Sequence, residues 1–137
     1  MLPEWKMKLA VYKTKAFSRF ARKVRIADAE LWKTAEAVSR GVIDADLGGG
    51  VIKQRIARAD QGKSAGSRSI ILFRFKGRAV FVYGFEKKDR ANIDGKELEA
   101  FRALADVILG YSEAEMARRV ADGALIEVVR PTEVKDA

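Results

Sequence analysis

Apolar residues recur along this chain first at strand spacing and then at helix spacing. Lys8 to Tyr12 (KLAVY) predicts a short first strand. Thr14 follows as an N-cap, with Phe17, Phe20, Ala21 and Val24 on one side of a helix and Arg19, Arg22 and Lys23 largely on the other. Asp28 predicts the cap of a second helix, with Leu31, Ala35 and Val38 as its buried stripe and Gly41 as its stop. Together these predict a helical hairpin packed against a sheet.

The sheet follows. Gly48, Gly49 and Gly50 break regular structure and predict a bend entering a strand over Val51 to Ala57. On that strand Val51, Lys53 and Arg55 share one face, while Ile52, Gln54 and Ile56 share the other. After a Gly/Ser-rich loop from Asp60 to Ser67 come two rich strands, Ser69 to Phe75 and Ala79 to Gly84, joined by a tight turn at Lys76-Gly77. This is a three-stranded meander, with the first strand expected at one edge. Asp94, with Glu97 at the capping-box position, predicts a third helix carrying Leu98, Phe101, Leu104, Ala105 and Ile108 inward. Gly110 ends it. Ser112, with Glu115, opens a short fourth helix with Met116 and Val120 inward, which stops at Gly123. Ala124 to Val129 (ALIEVV) predicts a last strand, and the chain from Pro131 onward a frayed tail.

Length and composition narrow the possibilities. At 137 residues, nearly half of them apolar, the chain can bury one core but not two, and no internal repeat or linker divides it. It has no cysteine, hence no disulfide and no thiolate metal site. No apolar run reaches membrane-spanning length, and Met1 to Lys8 lacks the apolar core of a signal peptide. A soluble, cytoplasmic protein is the expectation. The absence of histidine removes the usual general base, the usual zinc ligand and every Ser-His or Cys-His nucleophile. Catalysis, if present, rests on Lys, Arg, Tyr or carboxylates, with no metal and no cofactor.

The charge pattern changes the picture most. Between Lys53 and Arg90 stand eleven bases (Lys53, Arg55, Arg58, Lys63, Arg68, Arg74, Lys76, Arg78, Lys87, Lys88, Arg90) against three acids (Asp60, Glu86, Asp89). That balance of +8 equals the net charge of the whole chain, because the segment before sums to +4 and the one after to −4. A folded block with such an excess is the footprint of a phosphate-rich partner. Lys53 and Arg55 project from one strand face about 7 Å apart. Arg58, Lys63 and Arg68 lie around the following loop, and Lys87, Lys88 and Arg90 follow the last rich strand, so that antiparallel pairing brings them toward one rim. Tyr83 and Phe85 supply aromatic faces near it, as base stacking needs. The competing explanation is a solvated edge guarded by lysines against aggregation.

Other motifs carry less. Gly62-Lys63-Ser64 resembles the end of a phosphate loop, but Ala57 stands where that motif needs its first glycine, and strand residues rather than a helix follow. The glycines at 48–50 lack dinucleotide-binding spacing. The carboxylates, for example Glu97 and Glu99 or Glu113 and Glu115, fall on helix faces and caps, not in an acid/base pair.

The segment GGGVIKQRIARADQGKSAGSRSIILFRFKGRAVFVYGFEKKDRANID resembles the central part of RelE-type toxins of bacterial toxin–antitoxin systems, most of all the HigB-like branch. The shared pattern is a Lys/Arg strand, a "GKSGGSR"-like loop, a hydrophobic hairpin and a "YGFEKKDRANI"-like turn into the last helix. The resemblance implies an α+β fold: an N-terminal helical hairpin on a twisted, mainly antiparallel sheet of about four strands, then a C-terminal helix. Residues 1–110 would form the toxin domain and residues 111–137 an extension that is not an independent domain. It further implies a ribosome-dependent endoribonuclease that cuts messenger RNA in the A site, paired with an antitoxin that is often a helix-turn-helix protein. Lys53, Arg55, Arg68 and Lys88 match its catalytic basic positions, with Arg58, Lys63, Arg74, Tyr83, Phe85, Lys87 and Arg90 as expected RNA or ribosome contacts. The tyrosine that such toxins carry just before the last helix has no counterpart near Ile93. Two other functions compete: a ParE-like inhibitor of DNA gyrase, and a non-catalytic nucleic-acid-binding regulator.

Overall fold

The computed structural model describes residues 9–56, 66–74 and 77–131. In chain order the elements are β1 (Ala10–Thr14), α1 (Lys15–Val24), α2 (Asp28–Ser39), β2 (Ala45–Gly48), β3 (Val51–Arg55), β4 (Ser67–Arg74), β5 (Arg78–Glu86), α3 (Gly95–Ile108), α4 (Glu113–Ala121) and β6 (Leu125–Val128). The strands form a single sheet of six, ordered β2-β3-β4-β5-β1-β6. Every neighbouring pair is antiparallel except β1 and β5. Among the described residues, no helix is long and apolar enough to cross a membrane.

The sequence of β4 shows why the sheet is covered on both sides. Its Ile70 and Leu72 point into one apolar cluster and its Ile71 and Phe73 into another. A strand buried on both faces reads as a continuous apolar run instead of an alternation. The first cluster joins Tyr12, Val51, Ile70, Leu72 and Val80 to α3 and α4 through Ala105, Ile108 and Met116. The second joins Val11, Ile52, Ile71, Phe73 and Phe81 to α1 and α2 through Phe17, Ala21, Leu31, Trp32 and Val38.

Three helix starts match the sequence. Thr14 Oγ1 accepts from Phe17 N, and both Asp94 with Glu97 and Ser112 with Glu115 form capping boxes. The start of α2 differs by one residue. Ala27 is its N-cap, whose N–H donates to Glu30 Oε1 at 2.8 Å, and Asp28 instead pairs with Lys13 Nζ at 2.8 Å. Of the expected hairpin, the structure shows both helices sharing one apolar cluster on the same side of the sheet, α1 against β5 and β1 and α2 beside β6.

The sheet has six strands where about four were expected. The added strand β2 pairs with β3 through a turn at Gly49-Gly50, so the glycines close a hairpin and do not merely bend the chain. The strand from Leu125 to Val128 takes an edge beside β1, which moves β1 from the expected edge to an interior position. Val11 and Tyr12, on opposite faces of β1, are both buried, as an interior strand requires.

Candidate functional site

The predicted basic residues of β3 and β4 are brought onto one face of the sheet by their pairing register. Lys53 stands opposite Ile70, and Ile70 opposite Tyr83. In the next row Arg55 stands opposite Arg68, and Arg68 opposite Phe85. A register shift at Ile70/Ile71 gives β5 one extra residue, and beyond it Tyr83 and Phe85 share the face of Ile70 and Arg68. Strands lie about 4.8 Å apart, so each row spans roughly 10 Å, enough for a phosphodiester with its flanking riboses.

The cations differ in how they are held. Lys53 Nζ donates to Asn92 Oδ1 at 3.2 Å, a neutral partner, and forms no ion pair among the described residues. Arg55 is paired with Asp44, at 3.4 Å from both Nε and Nη2, while its backbone N–H donates to the same carboxylate at 2.7 Å. Arg68 is partly buried, and its Nη1 is buried with no hydrogen-bond partner among the described residues. An unpaired buried guanidinium N–H costs free energy, which an arriving phosphate oxygen would recover. Lys87 and Lys88 are exposed on the turn after β5.

Arg90 has a different position from that of a free RNA contact. It donates to Glu97 Oε1 at 2.6 Å and Oε2 at 3.0 Å, to Tyr83 Oη at 3.0 Å and to Asn92 O at 2.9 Å. Its guanidinium also lies 5.8 Å from the centroids of both the Tyr83 and Phe85 rings. Arg90 therefore pins the turn to the sheet and to the first turn of α3. Glu97 holds it further by accepting the Asp94 N–H at 2.8 Å. The bond from Arg90, and next that from Asp94, keep the Glu97 carboxyl below its ordinary 4.5, while Glu97 and Tyr83 raise the Arg90 guanidinium.

The sign follows from that depression. Glu97 contributes stability above its unfolded value of about 4.5, and the contribution fades as pH falls through the lower folded value. Glu97→Gln should accordingly lower the urea midpoint at pH 7, and the gap to wild type should close on titration below pH 4.5. A gap that stayed constant to pH 3 would remove the carboxylate from this role.

The remaining predicted residues scatter. Arg74 lies at the other end of β4, opposite Arg78 and paired with Asp106 at 3.0 Å. Six residues of strand, about 20 Å, separate it from Arg68, so it does not join the cluster. Arg58 and Lys63 lie outside the described residues. Phe85 is buried, with its ring 5.9 Å from that of Tyr83, which in turn packs 5.9 Å from Phe101 of α3. Both aromatics thus serve the packing of this end of the sheet. Tyr83 is only half-buried.

Sequence reasoning missed Asn92 and Asp44, which orient Lys53 and Arg55, and read Glu97 only as a helix cap and not as the partner of Arg90. It also missed a groove of about 580 Å³ beside the cluster. One wall is the end of β5 with the turn that follows, including Tyr83, Lys88 and Arg90; the other is α1, through Phe20, Lys23 and Val24. The Phe20 ring lies directly on Gly84, where any Cβ would sit 2.2 Å from a ring carbon.

The family model described as RelE toxin of the RelE/RelB toxin–antitoxin system matches residues 9–128, from the residue before β1 to the end of β6. No curated protein matches the chain.

Proposed function

The chain belongs to the RelE toxin family, the toxin side of a toxin–antitoxin system with an antitoxin as partner, and from that premise we propose that it is a metal-independent endoribonuclease that cleaves messenger RNA on the ribosome. The observation that carries this reading is the pair of rows Lys53–Ile70–Tyr83 and Arg55–Arg68–Phe85, which sets three cations on one face at phosphodiester spacing. A gyrase inhibitor has no need of cations so grouped. The site of action would be the cytoplasm.

In the proposed reaction the 2′-oxygen of a ribose attacks the adjacent phosphorus and the bond from phosphorus to the 5′-oxygen breaks. The products are a 2′,3′-cyclic phosphate and a 5′-hydroxyl, with one proton carried from the 2′-oxygen to the 5′-oxygen. Arg68 and Arg55 hold the phosphate oxygens as charge builds on the phosphorane. Arginine does not release its proton near neutral pH, so proton transfer falls to Lys53 and Lys88. The ribosome supplies orientation of the messenger strand.

Primer extension on a messenger with and without translating ribosomes tests the reading. Cuts confined to translated message support it; equal cutting of naked RNA removes the ribosome from it. No cutting in either case, together with inhibited supercoiling by gyrase, would transfer the protein to the other functional class. Given cleavage, Lys53→Ala and Lys88→Ala should each slow single-turnover cleavage by about 10²-fold or more. An undiminished rate in either variant takes proton transfer away from that lysine.

A further inference from the structure

Helix α1 carries five cations, Lys15, Arg19, Arg22, Lys23 and, at its C-cap, Arg25, and no acid. All five are exposed, and none forms a side-chain hydrogen bond or ion pair with a described residue. At 100° per residue, Lys15, Arg19, Arg22 and Lys23 fall within one sector of roughly 100°, opposite Phe17, Phe20, Ala21 and Val24. Lys15, Arg19 and Lys23 repeat about every 6 Å along the axis.

Ordinary helix electrostatics explains only part of this. Arg22 and Lys23 lie in the last turn, where the helix dipole favours cations. Lys15 opens the first turn, where the dipole opposes positive charge and where acids are usual, yet none is present. A solvated face with no role would more commonly carry mixed charge, which lowers self-repulsion. The stripe also reaches the turn after β5, because Lys23 lines the same groove as Lys88 and Tyr83.

We propose that the exposed face of α1 is a second nucleic-acid surface, which binds the phosphate backbone of structured RNA and leads along Lys15, Arg19 and Lys23 into the groove at Lys88. The choice of RNA as the polyanion rests on the proposed ribonuclease function; the surface itself rests on α1. It adds a binding track outside the cleaving rows, made by residues that take no part in bond breaking. RNA is favoured over an acidic protein segment because the cations recur at a regular step along one line, as backbone phosphates do, and lead to the groove at Lys88 and the half-buried Tyr83.

The test measures binding of the full chain to a labelled RNA stem-loop by anisotropy between 50 and 200 mM salt, with labelled poly-L-glutamate as the acidic-polypeptide probe. Arg19→Ala/Lys23→Ala should weaken stem-loop binding about tenfold at 100 mM salt and lower the slope of log K against log salt by about two. Unchanged affinity and slope, or no measurable binding by wild type, overturns the proposal. So does a variant that keeps stem-loop affinity and loses only poly-L-glutamate, since the face would then dock an acidic protein. Thermal unfolding checks that the variant is folded, and Arg19→Gln/Lys23→Gln replaces it if it is not. Because binding is read without cleavage, a protein that binds the stem-loop through α1 but leaves translated message intact would sink the ribonuclease function and spare this surface.

Discussion

Gly84→Ala should lower the thermal midpoint by roughly 8 °C, corresponding to about 2 kcal/mol of overpacking in a domain of this size. A methyl group at this position would lie 2.2, 2.3 and 2.9 Å from three carbons of the Phe20 ring. The ring cannot swing away cheaply. It packs against the apolar cluster under α1 and lies 5.7 Å from the Phe17 ring, which is itself wholly buried. Relief therefore requires α1 to lift from β5, the strand it packs against most. The double variant Phe20→Ala/Gly84→Ala separates this cause from an intrinsic strand preference. If the clash is responsible, Gly84→Ala should cost little on the Phe20→Ala background, a coupling of at least about 1 kcal/mol. Equal costs on both backgrounds would mean that the ring contact is not what requires glycine. The same displacement would reshape the groove that α1 shares with Tyr83 and Lys88, so RNA binding should weaken together with stability.

How far the sequence disclosed this arrangement depends on the range of the interaction concerned. Caps are local, and Thr14, Asp94 with Glu97, and Ser112 with Glu115 stand where the pattern of polar and apolar positions puts them. The strands β4 and β5 were equally legible from SIILF and AVFVYG, since an apolar run bounded by turn residues has few other solutions. The strand β2 was not. Ala45–Gly48 (ADLG) has four residues, one of them glycine, and no distinctive period. The place of β1 was also hidden, because strand order depends on which distant segment supplies a partner, and β6 supplies it from more than a hundred residues away.

The site divides in the same way. Period-two alternation put Lys53 and Arg55 on one face, and antiparallel pairing added Arg68. Charge counting grouped Arg74 with them, although a window sum cannot tell which end of a strand a residue occupies. Nor could it reveal that Arg90 is engaged by Glu97, a contact set by the path of the turn. The cationic face of α1 was obscured for an arithmetic reason. The first segment sums to only +4, because acids such as Asp28, Glu30, Glu36 and Asp46 offset it in sequence while lying on other elements in space.

Arg68→Met should make the protein more stable and nearly inactive. Methionine keeps most of the aliphatic stem while removing the guanidinium, whose Nη1 is buried without a partner among the described residues. It also removes a like-charge pair, since Arg68 and Arg55 stand directly opposite on neighbouring strands, an arrangement that disfavours the folded sheet. Together these should raise stability by about 1 kcal/mol, read as a higher urea midpoint with an unchanged slope. Under the proposed function the same guanidinium would meet the charge developing on a phosphorane, where loss of one preorganised donor costs about 10²- to 10³-fold in kcat. KM should change far less, because Arg55, Lys53 and Lys88 still attract the strand. Arg68→Lys is the informative control: it restores the charge without the planar fork and should recover binding but little of the rate. A residue retained for activity at the expense of stability gives these opposite signs in one variant. If Arg68→Met lowered the urea midpoint and left kcat intact, Arg68 would be a structural arginine, and the row Arg55–Arg68–Phe85 would lose its claim to the phosphate.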